Sequence, residues 1–163
     1  MDNSLYANTK YSFERNERKS LVVNIPMTTV KNTFDVVLPE MLSIDGHSDI
    51  FLDSLTTFNC KTSNGSVNDM GFILSIDQFD IKSISNTSDI GRSIFIPNDL
   101  NIDGTTSSDL EISKTHKGKK LNFICCINPS NIQRISGKIT NMAQGSIFSG
   151  EARLVLEFVI ITK

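Results

Sequence analysis

Tryptophan is absent from this sequence, histidine occurs twice, and ten phenylalanines with two tyrosines supply every aromatic ring in 163 residues. Sugar-binding sites usually want an exposed aromatic platform, and with no Trp and with Tyr6 and Tyr11 both near the N-terminus that reading is disfavoured. Long apolar runs are missing too. A membrane-spanning helix needs about 20 apolar residues, and Phe158–Ile161 shows how short the runs are here. The opening MDNSLYANTKYSFERNERKS has no apolar core of a secretory signal, so the expectation is a protein made and folded in the cytosol. A net charge of −2 argues against a general nucleic-acid binder.

Catalytic vocabulary is equally sparse. His47 and His116 stand far apart and read as surface-loop residues; no HxH, HExxH or CxxC spacing offers zinc a site. There is no G-x-S-x-G elbow and no phosphate-cradling glycine loop, because the glycines are scattered singly. Asp45, Asp49 and Asp53 lie close together. Their spacing misses the pattern of a calcium loop, and Asp49 and Asp53 fall in or beside a strand. Cys60, Cys125 and Cys126 read as free buried thiols, with Cys125 and Cys126 pointing to opposite faces of one strand. Asn64 and Asn86 head N-x-S sequons that a cytosolic protein would not use. The expectation is a non-enzymatic chain with no catalytic, cofactor-binding or metal residues.

What the chain does contain is alternation. Short β-branched and aromatic runs recur between Gly, Asn, Asp, Ser and Pro clusters, at about 20–25, 33–38, 49–60, 70–81, 92–96, 120–127, 131–139 and 151–162. In the last run Leu154, Leu156, Phe158 and Ile160 share one face, opposite Arg153 and Glu157. Phe72, Leu74 and Ile76 oppose Ser75 and Asp77; Ile135 and Ile139 oppose Arg134, Ser136 and Lys138. Such two-faced strands suit an antiparallel sheet covering a core on one side. Val155, Val159 and Ile161 make the outer face of the last strand apolar, as if a neighbour covered it. Asn128-Pro129-Ser130-Asn131, Ser63-Asn64-Gly65-Ser66 and Asp45-Gly46-His47-Ser48 read as turns, and Pro39–Leu42 as a single helical turn.

Eight strands and no helix predict an all-β fold, an eight-stranded antiparallel β-sandwich of the jelly-roll kind. An immunoglobulin sandwich is disfavoured by the missing Cys…Trp…Cys core. Residues 1–19, polar and aperiodic, read as a flexible N-terminal arm, leaving 20–163 as the single domain. The segment 97–119 reads as a long loop whose acidic half (Asp99, Asp103, Asp109, Glu111) precedes a basic cluster (Lys114, Lys117, Lys119 and the adjoining Lys120). The two halves offset each other, which suits solvent or a protein partner better than nucleic acid.

The order Ser48–Asn59, a polar hairpin, Gly71–Asp80 and Ser93–Asn98, closing with Leu121–Asn128, Pro129 and Ile132–Ile139, resembles one virion family. It is similar to single-jelly-roll minor capsid and penton-like proteins of large double-stranded DNA viruses, over about residues 20–162. The resemblance implies a structural virion protein that assembles through subunit contacts. Its partners would be copies of itself, as a homo-oligomer such as a pentamer, or a major capsid protein. Its place would be the virion, after synthesis in host cytoplasm. The chain departs from larger penton proteins in having no inserted second domain. The alternative is a non-enzymatic ligand-binding sandwich of the carbohydrate-recognition type.

Overall fold

The computed structural model describes residues 18–28, 31–60, 70–81, 83, 86, 91–97 and 113–163, with backbone alone for 28, 113–122 and 149–150. Eight strands occupy β1 (Arg18–Thr28), β2 (Thr33–Ile44), β3 (Ser48–Cys60), β4 (Gly71–Ile76), β5 (Ile94–Pro97), β6 (Ser113–Ile127), β7 (Ser130–Thr140) and β8 (Phe148–Thr162). No helix occurs among the described residues.

The strands form two four-stranded sheets, β1-β8-β3-β6 and β2-β7-β4-β5, with every described pair antiparallel. Each chain connection passes from one sheet to the other, except β4 to β5. That order is the jelly roll, two Greek keys folded into a sandwich.

The core lies between the sheets and follows the alternation. Leu154, Leu156, Phe158 and Ile160 of β8 are fully or almost fully buried, as are Val23, Ile25, Ile50, Leu52 and Leu55 from neighbouring strands. Phe34, Phe72, Leu74, Ile76, Ile96, Ile135 and Ile139 meet them from the second sheet. Beyond the end of β4, Phe79 stays in the core, edge-on to Phe158 with ring centroids 5.6 Å apart. Period-2 burial on both sheets is what makes a sandwich closed to water along its midplane.

Four expectations need correction. The helical turn at 39–42 is instead strand: β2 runs through it, with an irregularity between Val37, opposite Arg134, and Leu42, opposite Ile132. The extra residues are absorbed as a bulge on an edge strand, where Pro39 needs no N–H partner and Leu38 still reaches the core. The loop expected over 97–119 is shorter at both ends, since Pro97 closes β5 and β6 begins at Ser113. Polar residues 113–117 pair with Phe58–Ser54 of β3 because β6 is an edge strand, where main-chain hydrogen bonds do not require apolar side chains. His116 is therefore on a strand, opposite Leu55, rather than in a loop. Finally, Arg18 and Lys19, assigned to the arm, pair with Ile161 and Ile160 of β8. The Lys19 ammonium is tied down by the Ser43 carbonyl at 3.0 Å and by Asp45 at 3.3 Å. Residues 1–17 of the expected arm, 98–112 of the expected loop, and the turn Ser63–Ser66 lie outside the described residues.

The Asn128-Pro129 connection between β6 and β7 and the Asp45–His47 connection between β2 and β3 are as the turn residues predict.

Candidate functional site: the outer face of the first sheet

The outward positions of the first sheet are unusually apolar near one end. On β8, Val155 and Ile161 are half-buried and Val159 is nearly covered, although all three face away from the core. Val159 lies opposite Phe51 of β3, and Phe51 opposite Phe123 of β6. The two phenyl rings meet edge-to-face at 5.7 Å and 67°. Together they form a ridge, Val159–Phe51–Phe123, crossing three strands, with Ile161 beside it. Phe123 is 48 % exposed, and Val22 on β1 is 59 % exposed.

Charge rims this surface. Glu157 accepts a hydrogen bond from Ser54 Oγ at 3.3 Å, and Arg153 donates one to Asn24 Oδ1 at 3.4 Å. An apolar strip rimmed by satisfied polar groups can exclude water against another surface. The second sheet also exposes apolar side chains, Val37, Met41 and Phe95. Phe95 is partly used within its own sheet: its ring lies over Gly71, where a Cβ would collide with it.

One irregularity shapes the ridge. The β3–β6 register shifts between Ile50, opposite Cys125, and Phe51, opposite Phe123, so Ile124 is the extra residue. Ile124 and Cys125 are consequently both buried, and Phe123 turns outward. The ridge was missed in the sequence because strict alternation would have sent Phe123 inward with Cys125. A run with too many consecutive apolar residues, Phe123–Ile127, was the available signal.

Among the described side chains with catalytic or metal-binding potential, Asp49 and Cys126 touch, and no metal-binding set forms. Asp45 accepts from Ser43 Oγ at 2.7 Å and pairs with Lys19, and these contacts hold its carboxyl below the ordinary range. Asp49 sits 2.8 Å from Lys163 Nζ and accepts from the Cys126 thiol at 3.1 Å. The Lys163 bond outweighs partial burial and lowers the Asp49 pKa. Asp53 is exposed on β3. Among the described residues no three His, Cys, Asp or Glu groups come together as metal ligands. His47 is exposed, as expected, with Nδ1 3.2 Å from Asn128 Oδ1.

All three cysteines are free thiols; Cys60 and Cys125 are buried, and Cys126, expected to be buried, is exposed. The opposite facing of Cys125 and Cys126 holds. Burial pushes the Cys125 thiol up to about 11. Donation to Asp49, with some burial, raises the Cys126 thiol as well. Raised thiols are poorly ionised at neutral pH and make weak nucleophiles.

No family model matches this chain, and no curated protein matches it. Among solved structures the chain is similar to one titled "Structure of infectious bursal disease virus Gt strain", at 14 % identity and a TM-score of 0.31. The match covers 88 % of this chain and 32 % of that one, so the chain spans about a third of that protein's length. The fold assignment rests on strand order and burial, not on this likeness.

Proposed function

We propose that this chain is a structural virion protein, a minor capsid or penton-type component that works by subunit contact and not by catalysis. Its partners are copies of itself or a major capsid protein, and its place is the virion. The observation that carries the reading is the Val159–Phe51–Phe123 ridge on the outer face of the first sheet. It is built on two central strands and one edge strand of a rigid sandwich, and it leaves a phenyl ring half open to water. The sequence resemblance to single-jelly-roll virion proteins supports the same role. A second reading, ligand binding, is favoured by one feature, a polar cleft on the second sheet.

Light scattering of the full chain during size-exclusion chromatography tests the proposal. A mass that is a multiple of 18.1 kDa is expected. A chain that stays monomeric at every concentration, and that mass spectrometry does not find in purified particles, refutes it.

A further inference from the structure

On the outer face of the second sheet, away from the ridge, lies a half-open cleft of about 170 Å³, lined by Ile73, Ser75, Ser93, Lys138, Thr140 and Gln144. Its floor is sheet: Ile73 and Ser75 from β4, Lys138 and Thr140 from β7. Its walls are pinned. Ser83 Oγ donates to the Ser93 carbonyl at 2.8 Å and accepts from the Ser93 amide at 2.9 Å. Opposite, Asn141 Oδ1 accepts from the amides of Ala143 at 3.0 Å and Gly145 at 2.8 Å. That turn holds Gln144 at a φ of 60°, a conformation unfavourable for a residue other than glycine.

The lining points to the chemistry of a ligand. Ser93 and Thr140 are only 8 % and 3 % exposed, and both line the cleft. With them stand one cation, Lys138, and further hydrogen-bond donors, and among the described lining residues there is no carboxylate.

We propose that this cleft binds a compact oxyanion, either a phosphate group or the carboxylate of an acidic sugar. Lys138 supplies the charge, the hydroxyls of Ser93 and Thr140 and the side-chain amide of Gln144 supply hydrogen bonds, and Ile73 packs against the group that carries the oxyanion. The inference is independent of the assembly role, since it uses the other sheet.

The test is amide-detected NMR of the full chain titrated at constant ionic strength with inorganic phosphate, glucuronate or glucose. Saturable shifts confined to Ser75, Ser93, Lys138, Thr140, Gln144 and their neighbours are expected with phosphate, with glucuronate, or with both. A response to phosphate alone assigns a phosphate ligand; a response to glucuronate alone assigns an acidic sugar. Lys138→Gln should weaken binding by about tenfold or more, the loss expected for a hydrogen bond to a charged group. Thr140→Val, which keeps the shape and removes the hydroxyl, should weaken it several-fold. Lys138 is exposed, so its variant keeps the native melting temperature and separates lost binding from lost folding. Equal binding of glucose, shifts scattered over other lysines, or affinity unchanged in both variants overturns the proposal.

Discussion

Replacing Gly137 by alanine adds one methyl group where the two strands and a ring leave no space. A Cβ at that position would collide with the Ser75 carbonyl oxygen and stand 2.8 Å from Phe34 Cζ. Gly137 lies opposite Phe34 on β2 and Ile76 on β4, so it is flanked on both sides within the second sheet. The Phe34 ring can shift, but the Ser75 carbonyl is main chain and moves only with its strand. Overpacking a full core costs about 1–3 kcal/mol, and the carbonyl contact places this case toward the upper end. Removing a strand glycine returns roughly 0.5–1 kcal/mol through the unfolded chain. The net is a loss of about 2 kcal/mol, which for a chain of this size lowers Tm by roughly 4–8 °C. Thermal and denaturant unfolding at fixed protein concentration measure it. Gly145→Ala is the control, since its nearest neighbour is the Asn141 side chain at 3.3 Å. A Gly137→Ala protein as stable as the parent would refute the close approach of β2, β7 and β4.

Phe123→Asp should shift the light-scattering mass toward the monomer while changing the monomer's unfolding midpoint little, because Phe123 is 48 % exposed; an unchanged mass counts against the ridge as a contact. Gln144→Gly relieves the positive φ and should raise stability by about 0.5 kcal/mol in denaturant unfolding, and a clear loss would contradict that geometry. Asp45 and Asp49 have lowered folded-state pKa values, so their contribution to stability is present above the unfolded value of 3.8 and fades as pH falls through the lower folded value. Unfolding midpoints across pH 2–5 should therefore fall less steeply with acid in Asp49→Asn than in the parent. Native-state labelling with a thiol reagent should modify Cys126 alone, slowly, and faster in Asp49→Asn; rapid labelling of all three thiols would place the buried cysteines wrongly.

The fold was legible because its signal is local. Leu154, Leu156, Phe158 and Ile160 alternate against Arg153 and Glu157, and that pattern alone sets which face of β8 meets the core. Pairing partners are not local, and the errors lie there. Residues 113–119 carry no apolar period; they are strand because β3 offers an unpaired edge. Pro39 signals a turn in isolation, and only the position of β2 at a sheet edge makes it a bulge. The cleft is less legible still. Ser75, Ser93, Lys138, Thr140 and Gln144 come from separate stretches and are joined only by the β4–β7 pairing and two turns.

The ridge bears on function through what the chain forgoes to make it. Ile124 enters the β3–β6 ladder as an extra residue, and without it the alternation from Cys125 would carry Phe123 into the core. Burying a phenylalanine is worth roughly 1.5–3 kcal/mol relative to leaving it exposed. Here the smaller Ile124 fills the interior, and the phenyl ring is spent on the surface against Phe51 and partly on water. Bulges re-aim side chains and also disrupt pairing along an edge. This one does both, because β6 is the edge of the first sheet. An aromatic strip turned outward beside an interrupted edge favours side-chain contact with a neighbour over strand addition. The proposed subunit contact would then be made through side chains, with the chain's own two sheets left intact.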